Sequence, residues 1–339
     1  MKRMVLGNTG IKAARLGFGG IPIQRLDEAE AVEIVKYALE KGMDFIDTSR
    51  VYTTSETRIG KALKETDKKA AVATKSFNRS ADGIQKDVEI SLKELQLDYI
   101  DIYQVHGIGN EEEYRQIMAP DGAVAGLLKA REQGLMGHIG ITSHSLDLLE
   151  KCLDDGVFET IMVCFSFLEP AAQEKVIPKA LEKGVGIIAM KPLSGGVIEA
   201  PEVALKWAFS FPDILVLAGV EEKGFIDQNW EIFQGSYEMT DEENQTLDAI
   251  SKEFDKKFCR RCDYCLPCEE EIPIQFILGI RSMVRRMGTG ALQSPMFKNM
   301  LEKAAGCTEC GECAGRCPYD LQIPDMIKSN LEWVNELPK

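Results

Sequence analysis

An α/β fold, built as a closed (β/α)8 barrel, is what most of this chain predicts, and three observations predict it. Short apolar segments alternate with amphipathic ones through eight repeats by about residue 235. After the first, these segments (DFIDTS, AAVATKS, YIDIYQVH, GHIGITS, TIMVCFS, GIIAMKP and ILVLAGV) are nearly continuous runs, as strands of a parallel sheet covered on both faces must be. Functional side chains recur at their carboxyl ends, where such barrels carry their chemistry. Eight units in this length fit a closed barrel better than an open doubly wound sheet. A cysteine-rich tail follows, which sets the expected domains at 1–254 and 255–339.

Taken in order, the first fifteen residues read as a hairpin turning at Asn8-Thr9-Gly10. ARLGFGG is the first barrel strand, with glycines that would let a ligand approach the backbone. Asp27 is the expected N-cap of the next helix. There Ala31, Ile34, Val35, Ala38 and Leu39 form one apolar stripe, and Gly42 is the stop. Beyond the last strand, TDEENQTLDAISKEF reads as a capped helix, with Thr240 or Asp241 as cap and Glu243 as its partner. In the tail, IPIQFILGIRSMVRRM and PMFKNMLEKAAG read as helices. The closing IPDMIKSNLEWVNEL places Ile327, Leu331 and Val334 on one packing stripe.

The 339 residues, 45% of them hydrophobic, have room for one large domain and a small one. A net charge of −14 argues against general binding to nucleic acid or anionic membranes. No apolar run approaches the roughly 20 residues a membrane span needs, and the start lacks the apolar core of a secretory signal. A cytoplasmic protein is expected. GFGG is not the GxGxxG fingerprint, and no acidic ribose-binding residue follows at the usual distance. A nucleotide would instead be held by the loops after the last two strands, Lys191–Gly196 and Gly219–Gly224, each with glycine amides and a lysine. Of ten cysteines, Cys152 and Cys164 stand alone as expected buried thiols. The other eight fall between Cys259 and Cys317. Three-residue steps in a chain without an export signal favour metal over disulfides.

Asp47, Lys75 and His106 each end a strand, about thirty residues apart, or one strand-plus-helix unit. Tyr52 sits in the hydroxyl-rich turn after Asp47. On adjacent parallel strands these four groups converge. Taken singly, Asp47 also fits a helix cap, Lys75 or Tyr52 a surface residue, and His106 a satisfied strand-end histidine. His138, at the start of its strand, reads as structural.

DTSRVYTTSE, ATK, YQVH and GITSH, in this order and spacing, together with the opening LGNTGIKAARLGFGG, resemble the aldo-keto reductase superfamily. CRRCDYCLPC followed by CTECGECAGRCPYD resembles the tail of the branch fused to a small, mostly helical ferredoxin-like domain. The resemblance covers residues 3–330. It implies a catalytic tetrad of Asp47, Tyr52, Lys75 and His106. Reducing an aldehyde or ketone with hydride leaves negative charge on oxygen, which needs a proton and stabilisation. Tyr52 is the implied donor. A free phenol titrates near about 10, and the Lys75 ammonium would lower that value. Asp47 would hold Lys75, and His106 would orient the carbonyl oxygen.

The resemblance further implies a nicotinamide nucleotide, NADP(H) by family habit over NAD(H). Its matching positions are Gly20, Asp47, Ser143, Lys191, Pro192, Leu193, Gln228 and Asn229. Two positions depart from the family. His144 follows Ser143 where Asn is usual, and Met162 stands where a Gln usually binds the nicotinamide amide; a thioether cannot donate there.

In the tail, the second cysteine set is the C-x2-C-x2-C-x3-C-P run of bacterial ferredoxins, whose fourth cysteine serves the neighbouring cluster. Cys259, Cys262, Cys265 and Cys317 are therefore assigned to one 4Fe–4S cluster, and Cys268, Cys307, Cys310 and Cys313 to a second. Zinc knuckles instead pair two C-x2-C units across a longer gap. Arg281, Arg285 and Arg286 share a helical face, either solvated or a docking patch for an acidic electron carrier. Three readings of the whole remain open. One is an NADPH-dependent reductase of a small carbonyl substrate, with a tail for folding or docking. Another is a redox enzyme whose clusters relay electrons between the barrel and a ferredoxin-type protein. That relay would need a species such as a flavin, for which no motif is visible, to split the hydride pair. The third is an electron-transfer or scaffold protein with a catalytically retired barrel.

Overall fold

The computed structural model describes residues 2–337; Met1, Pro338 and Lys339, at the outer ends of the two expected domains, lie outside them. The chain packs as two compact units. One holds the residues up to Ser194 together with Ala200–Met239, and the other Gly195–Glu199 together with the residues from Thr240 on. The division thus precedes the expected boundary near 255, because helix Asp241–Phe254 groups with the second unit.

In the first unit eight parallel strands close into a barrel: β1 (Leu16–Gly19), β2 (Phe45–Asp47), β3 (Ala71–Ser76), β4 (Ile100–Ile108), β5 (Met136–Ser143), β6 (Thr160–Cys164), β7 (Gly186–Met190) and β8 (Ile214–Gly219). Pairing of β8 with β1, Val216 opposite Leu16, completes the ring. Side chains alternate between two apolar clusters, as the period of two in a strand requires. Ile46, Val72, Tyr103, Ile161 and Ile187 pack outward with the helices. Phe45, Ala73, Ile102, Met162, Ile188, Leu215 and Leu217 fill the inside. Asp47, Lys75 and Gln104 occupy the next inward positions toward the carboxyl ends, so the polar site stands on a dry floor. The amino-terminal hairpin, Arg3–Val5 against Lys12–Ala14, closes the other end by adding Leu6 and Ala13 to the inner cluster.

Local sequence explains most boundaries. Helix Glu28–Lys41 buries the expected stripe and stops at Gly42, whose φ of 106° suits glycine. Its N-cap residue Asp27 makes no side-chain cap bond, whereas Ser80, Asn110 and Ser145 each cap theirs. Arg15, in a segment read as apolar, is buried and donates to the carbonyls of Phe209, Phe211 and Ile214.

In the second unit Thr240 and Glu243 form a complete capping box. The helix expected over IPIQFILGIRSMVRRM breaks at Gly279 into Ile274–Leu278 and Ile280–Met287. Its core joins Ile272, Ile274, Ile277, Leu321, Ile323 and Ile327 to Cys265 and Cys313. Among the described residues no helix is long and apolar enough to cross a membrane.

Candidate active site and cysteine hollows

Three adjacent strands and one turn build the polar site. Register sets Asp47 opposite Ala73, and Lys75 opposite Gln104. Lys75 Nζ reaches Asp47 Oδ2 at 2.5 Å and Thr48 O at 2.7 Å. Gln104 Nε2 donates to Asp47 Oδ1 at 3.1 Å. Tyr52 is held by the turn after β2. Its N–H donates to Ser49 O at 3.0 Å, and its carbonyl accepts from Ser55 N at 2.8 Å, at the start of helix Ser55–Lys64. Lys75 Nζ lies 5.1 Å from the centre of the Tyr52 ring, close enough for that side chain to help hold the ammonium charged. His106 stands beside them, its ring 6.1 Å edge-on from Tyr52 and stacked at 4.1 Å on Phe77. The structure therefore brings Asp47, Tyr52, Lys75 and His106 together at the carboxyl end of the barrel.

Electrostatics follow from burial and proximity. Asp47 is 4% and Lys75 2% exposed. Burial alone would lower the Lys75 pKa, but Asp47 and Tyr52 outweigh it and hold the ammonium above its ordinary value. Burial lifts Asp47 above the ordinary carboxylate range, against the pull of Lys75 and Gln104. His106 is held well below 6.5, first by burial and then by Lys75, His144, Arg79 and Lys191. At neutral pH the site thus combines an ammonium and an uncharged imidazole beside the Tyr52 side chain.

The residues expected to hold a nucleotide are placed less uniformly. Gly20 N donates to Asp47 O at 2.8 Å. A Cβ there would come within 2.8 Å of Ser55 Oγ, so packing alone accounts for the glycine. Ser143 is buried, and its hydroxyl donates to Ile108 O at 2.6 Å. Lys191 has φ 60° and sets its Nζ 2.7 Å from Nε2 of exposed His144. Pro192 is buried, and Leu193 packs on the outer core. Gln228 donates to Glu202 at 2.6 Å, and Asn229 is buried; both lie inside helix Lys223–Gln234. Met162 belongs to the inner apolar layer.

The eight tail cysteines line two hollows. One is lined by Cys259, Cys262, Cys265 and Cys317. The other is lined by Cys268, Cys307, Cys310 and Cys313. The backbone repeats itself around them. Arg261 and Asp263 flank Cys262 with φ near 56° and 63°; Glu309 and Gly311 flank Cys310 with φ near 55° and 79°. These left-handed residues turn the chain around each middle cysteine, a conformation that non-glycine residues adopt at a cost. Glu271 after Cys268 and Asp320 after Cys317 repeat the device at φ 50° and 52°. Burial pushes the Cys265 thiol up to about 12, and Cys262 and Cys313 upward too. Crowded, half-desolvated thiols of this kind become thiolates when iron supplies positive charge. Arg281 bonds Asn330 and Ser329, Arg285 the Gly196 carbonyl, and Arg286 the Ser282 carbonyl. This basic face ties down its own unit.

Residues 15–202, more than half of the chain, match the Aldo/keto reductase family. The chain belongs to that family. Residues 258–322 match the 4Fe-4S dicluster domain, so this is an aldo/keto reductase-family oxidoreductase with a C-terminal 4Fe–4S domain. It is 34% identical over 214 residues to L-galactose dehydrogenase of Arabidopsis thaliana, covering 57% of this chain and 66% of that protein. It is 30% identical over 220 residues to aldo-keto reductase YhdN of Bacillus subtilis, covering 58% and 64%. The chain thus spans just under two thirds of either relative. A holo-form aldo-keto reductase from Bacillus halodurans superposes with a TM-score of 0.64 at 24% identity, over 74% of this chain and 96% of that one, and shares the barrel fold.

Within this aldo/keto reductase barrel, residue-by-residue reading missed three contributors. Gln104 is two residues before His106 on the same inward face, a period-of-two signal that could have found it. Ser49 and Phe77, which touch the two sides of His106, lie in turns and carry no such signal.

Proposed function

We propose that this protein reduces the carbonyl of a small aldehyde or ketone with hydride from NADPH, and that Tyr52 gives the proton. One observation carries the reading: Lys75 is bonded to Asp47 and lies 5.1 Å from the Tyr52 ring centre, in a buried site beside neutral His106. A phenol that gives up its proton leaves a phenolate, and an ammonium held charged at that distance stabilises it. Asp47 keeps Lys75 charged and aimed, and Gln104 keeps Asp47 aimed. His106 borders the place where the substrate sits.

The nucleotide would supply the hydride. Lys223 and the amino end of helix Lys223–Gln234, which no side chain caps, suit its phosphates. Lys191, Pro192 and Leu193 follow β7, at the carboxyl end of that strand. Gly20, Ser143, Gln228 and Asn229 act in this reading through the backbone they order. Met162, in the apolar layer, offers the amide no donor and only a weak acceptor.

The tail would hold two 4Fe–4S clusters, one in each hollow, with Cys317 and Cys268 as the crossed fourth ligands. Their thiolate sets favour a second reading, in which the clusters pass electrons to a ferredoxin-type protein.

Tyr52→Phe tests the first reading. Carbonyl reduction should fall about 10²–10⁴-fold, and undiminished turnover would remove Tyr52 as donor. Anaerobic titration with NADPH alone tests the second. Bleaching of the cluster absorbance supports a relay, and a spectrum that stays unchanged while aldehydes are reduced leaves the plain reductase.

A further inference from the structure

We propose that Arg50 and Glu56 are positioning residues: their buried ion pair holds shut the strained turn that carries Tyr52 and ties it to the strand of Lys75. The inference rests on the proposed reading of Tyr52 as proton donor and adds what fixes the donor in place.

Tyr52 does not stand on a barrel strand. It lies in the turn between β2 and helix Ser55–Lys64, and the tip of that turn is open, with Val51, Thr53 and Thr54 exposed. Thr53, the residue after Tyr52, has φ 43°. A β-branched residue is strained in left-handed backbone, and such strain persists only where the surroundings over-determine it. Packing cannot do so at an exposed tip, where Thr53 Oγ1 makes one exposed bond, to Gln24 Oε1 at 3.1 Å. The constraint has to come from the two arms of the turn.

Among the described residues two side-chain ties join those arms. Thr48 Oγ1 donates to Ser55 Oγ at 2.8 Å, and Arg50 pairs with Glu56. The ion pair brackets Tyr52, and it alone of the two reaches β3. Glu56 is 1% exposed, and its other oxygen accepts from Thr74 Oγ1 at 2.6 Å. Thr74 is the outward neighbour of Lys75 on β3. Arg50 Nη1 also donates to Glu94 Oε2 at 2.8 Å, on helix Ala81–Leu95, and Arg50 N donates to Lys75 O at 3.0 Å. A buried charge holds its partner firmly, because either one alone would stand desolvated. One chain of contacts therefore runs from the Lys75 strand through Glu56 and Arg50 to both arms of the turn. With it intact, the Tyr52 ring centre stays 5.1 Å from Lys75 Nζ. Without it, the strain at Thr53 relaxes and carries the phenol away from the ammonium.

The test uses the full chain with its clusters and Glu56→Gln, which keeps the shape and removes the charge; near-UV circular dichroism checks the fold. With NADPH and propionaldehyde, kcat should fall about 10²-fold, the effect of about 1 Å of misplacement, while KM stays within about twofold. A second readout needs no turnover: ¹³Cζ-tyrosine NMR, with the Tyr52 signal identified by its absence from Tyr52→Phe. Moving the phenol from the ammonium should raise the pH at which Tyr52 ionises. Removing the Glu56 charge from an undisturbed site would lower that pH, so the sign separates displacement from a direct charge effect. Thr53→Gly added to Glu56→Gln should reverse most of both changes, since glycine adopts this φ without strain. A protein that was merely destabilised would show no such recovery. Thr74→Val, which keeps the ion pair but cuts its link to β3, should move both readouts the same way and serves if Glu56→Gln does not fold. Wild-type kcat with an unchanged or lowered Tyr52 midpoint, or no recovery with glycine, would overturn the proposal. If the wild type does not reduce propionaldehyde, the proposed reaction falls, and the Tyr52 midpoint alone still upholds or overturns the positioning.

Discussion

Replacing Lys75 by methionine separates the charge of that side chain from its bulk. The stem keeps its packing, but among the described residues Asp47, 4% exposed, is left with Gln104 at 3.1 Å as its only remaining side-chain partner. Removing one member of a buried ion pair costs about 3–5 kcal/mol. For a barrel of this size, at about 2–4 °C per kcal/mol, melting should fall by roughly 10 °C. The loss has a pH signature. Burial already lifts Asp47 in the native site, and without the ammonium little opposes it. A carboxyl whose folded pKa exceeds its unfolded value, about 3.9, binds more protons folded than unfolded between the two. Stability contributed by that group is complete below the unfolded value and falls as pH rises through the folded one. The variant should therefore approach wild type near about pH 4 and trail it most above neutrality. Anaerobic thermal melts followed by circular dichroism across this range would read the effect. Lys75→Met/Asp47→Leu, with neither charge, should recover most of the stability while carbonyl reduction stays lost. A Lys75→Met protein within about 1 kcal/mol of wild type at neutral pH would refute the account of a buried, mutually dependent pair.

Iron analysis of paired cysteine variants checks the division of ligands between the hollows. Cys268→Ala should lose about half the iron, and adding Cys310→Ala should lose no more, whereas adding Cys262→Ala should remove the rest. A full loss in Cys268→Ala/Cys310→Ala would place those two cysteines on different clusters. Acid stability reports on His106. Its folded pKa lies well below 6.5, so its contribution is present above the unfolded value and is lost as pH falls from there toward the folded one. His106→Phe should flatten that acid-side decline in thermal melts, and an identical slope in both proteins would mean that His106 is not held neutral.

Much of this architecture is legible in local pattern. Apolar runs bounded by glycine, and stripes such as Ala31, Ile34, Val35 and Ala38, report their element because strand and helix periods act over a few residues. The same regularity sets Asp47, Lys75 and His106 one unit apart at successive strand ends. Pattern was a poorer guide where a side chain's partner is distant in sequence. Arg15 sits in an apolar run, yet finds three backbone carbonyls around Phe209–Ile214. The Arg281, Arg285 and Arg286 face, open to either solvent or a carrier on paper, is engaged by Asn330, Gly196 and Ser282. Gly20 and Ser143, expected beside a ligand, also serve neighbouring elements, Gly20 by packing on Ser55 and Ser143 by bonding Ile108 O.

By itself the sequence determined the kind of protein: an eight-unit barrel with an acid, a phenol, an amine and an imidazole at its strand ends, followed by cysteines at iron–sulfur spacing. Only the tertiary structure decided which atoms meet. Closing the ring brings Gln104 to Asp47 and Ser49 to His106 across 57 residues in each case. Hydrogen-bond direction depends on those few tenths of an ångström, which strand register and barrel closure set and local periodicity does not encode.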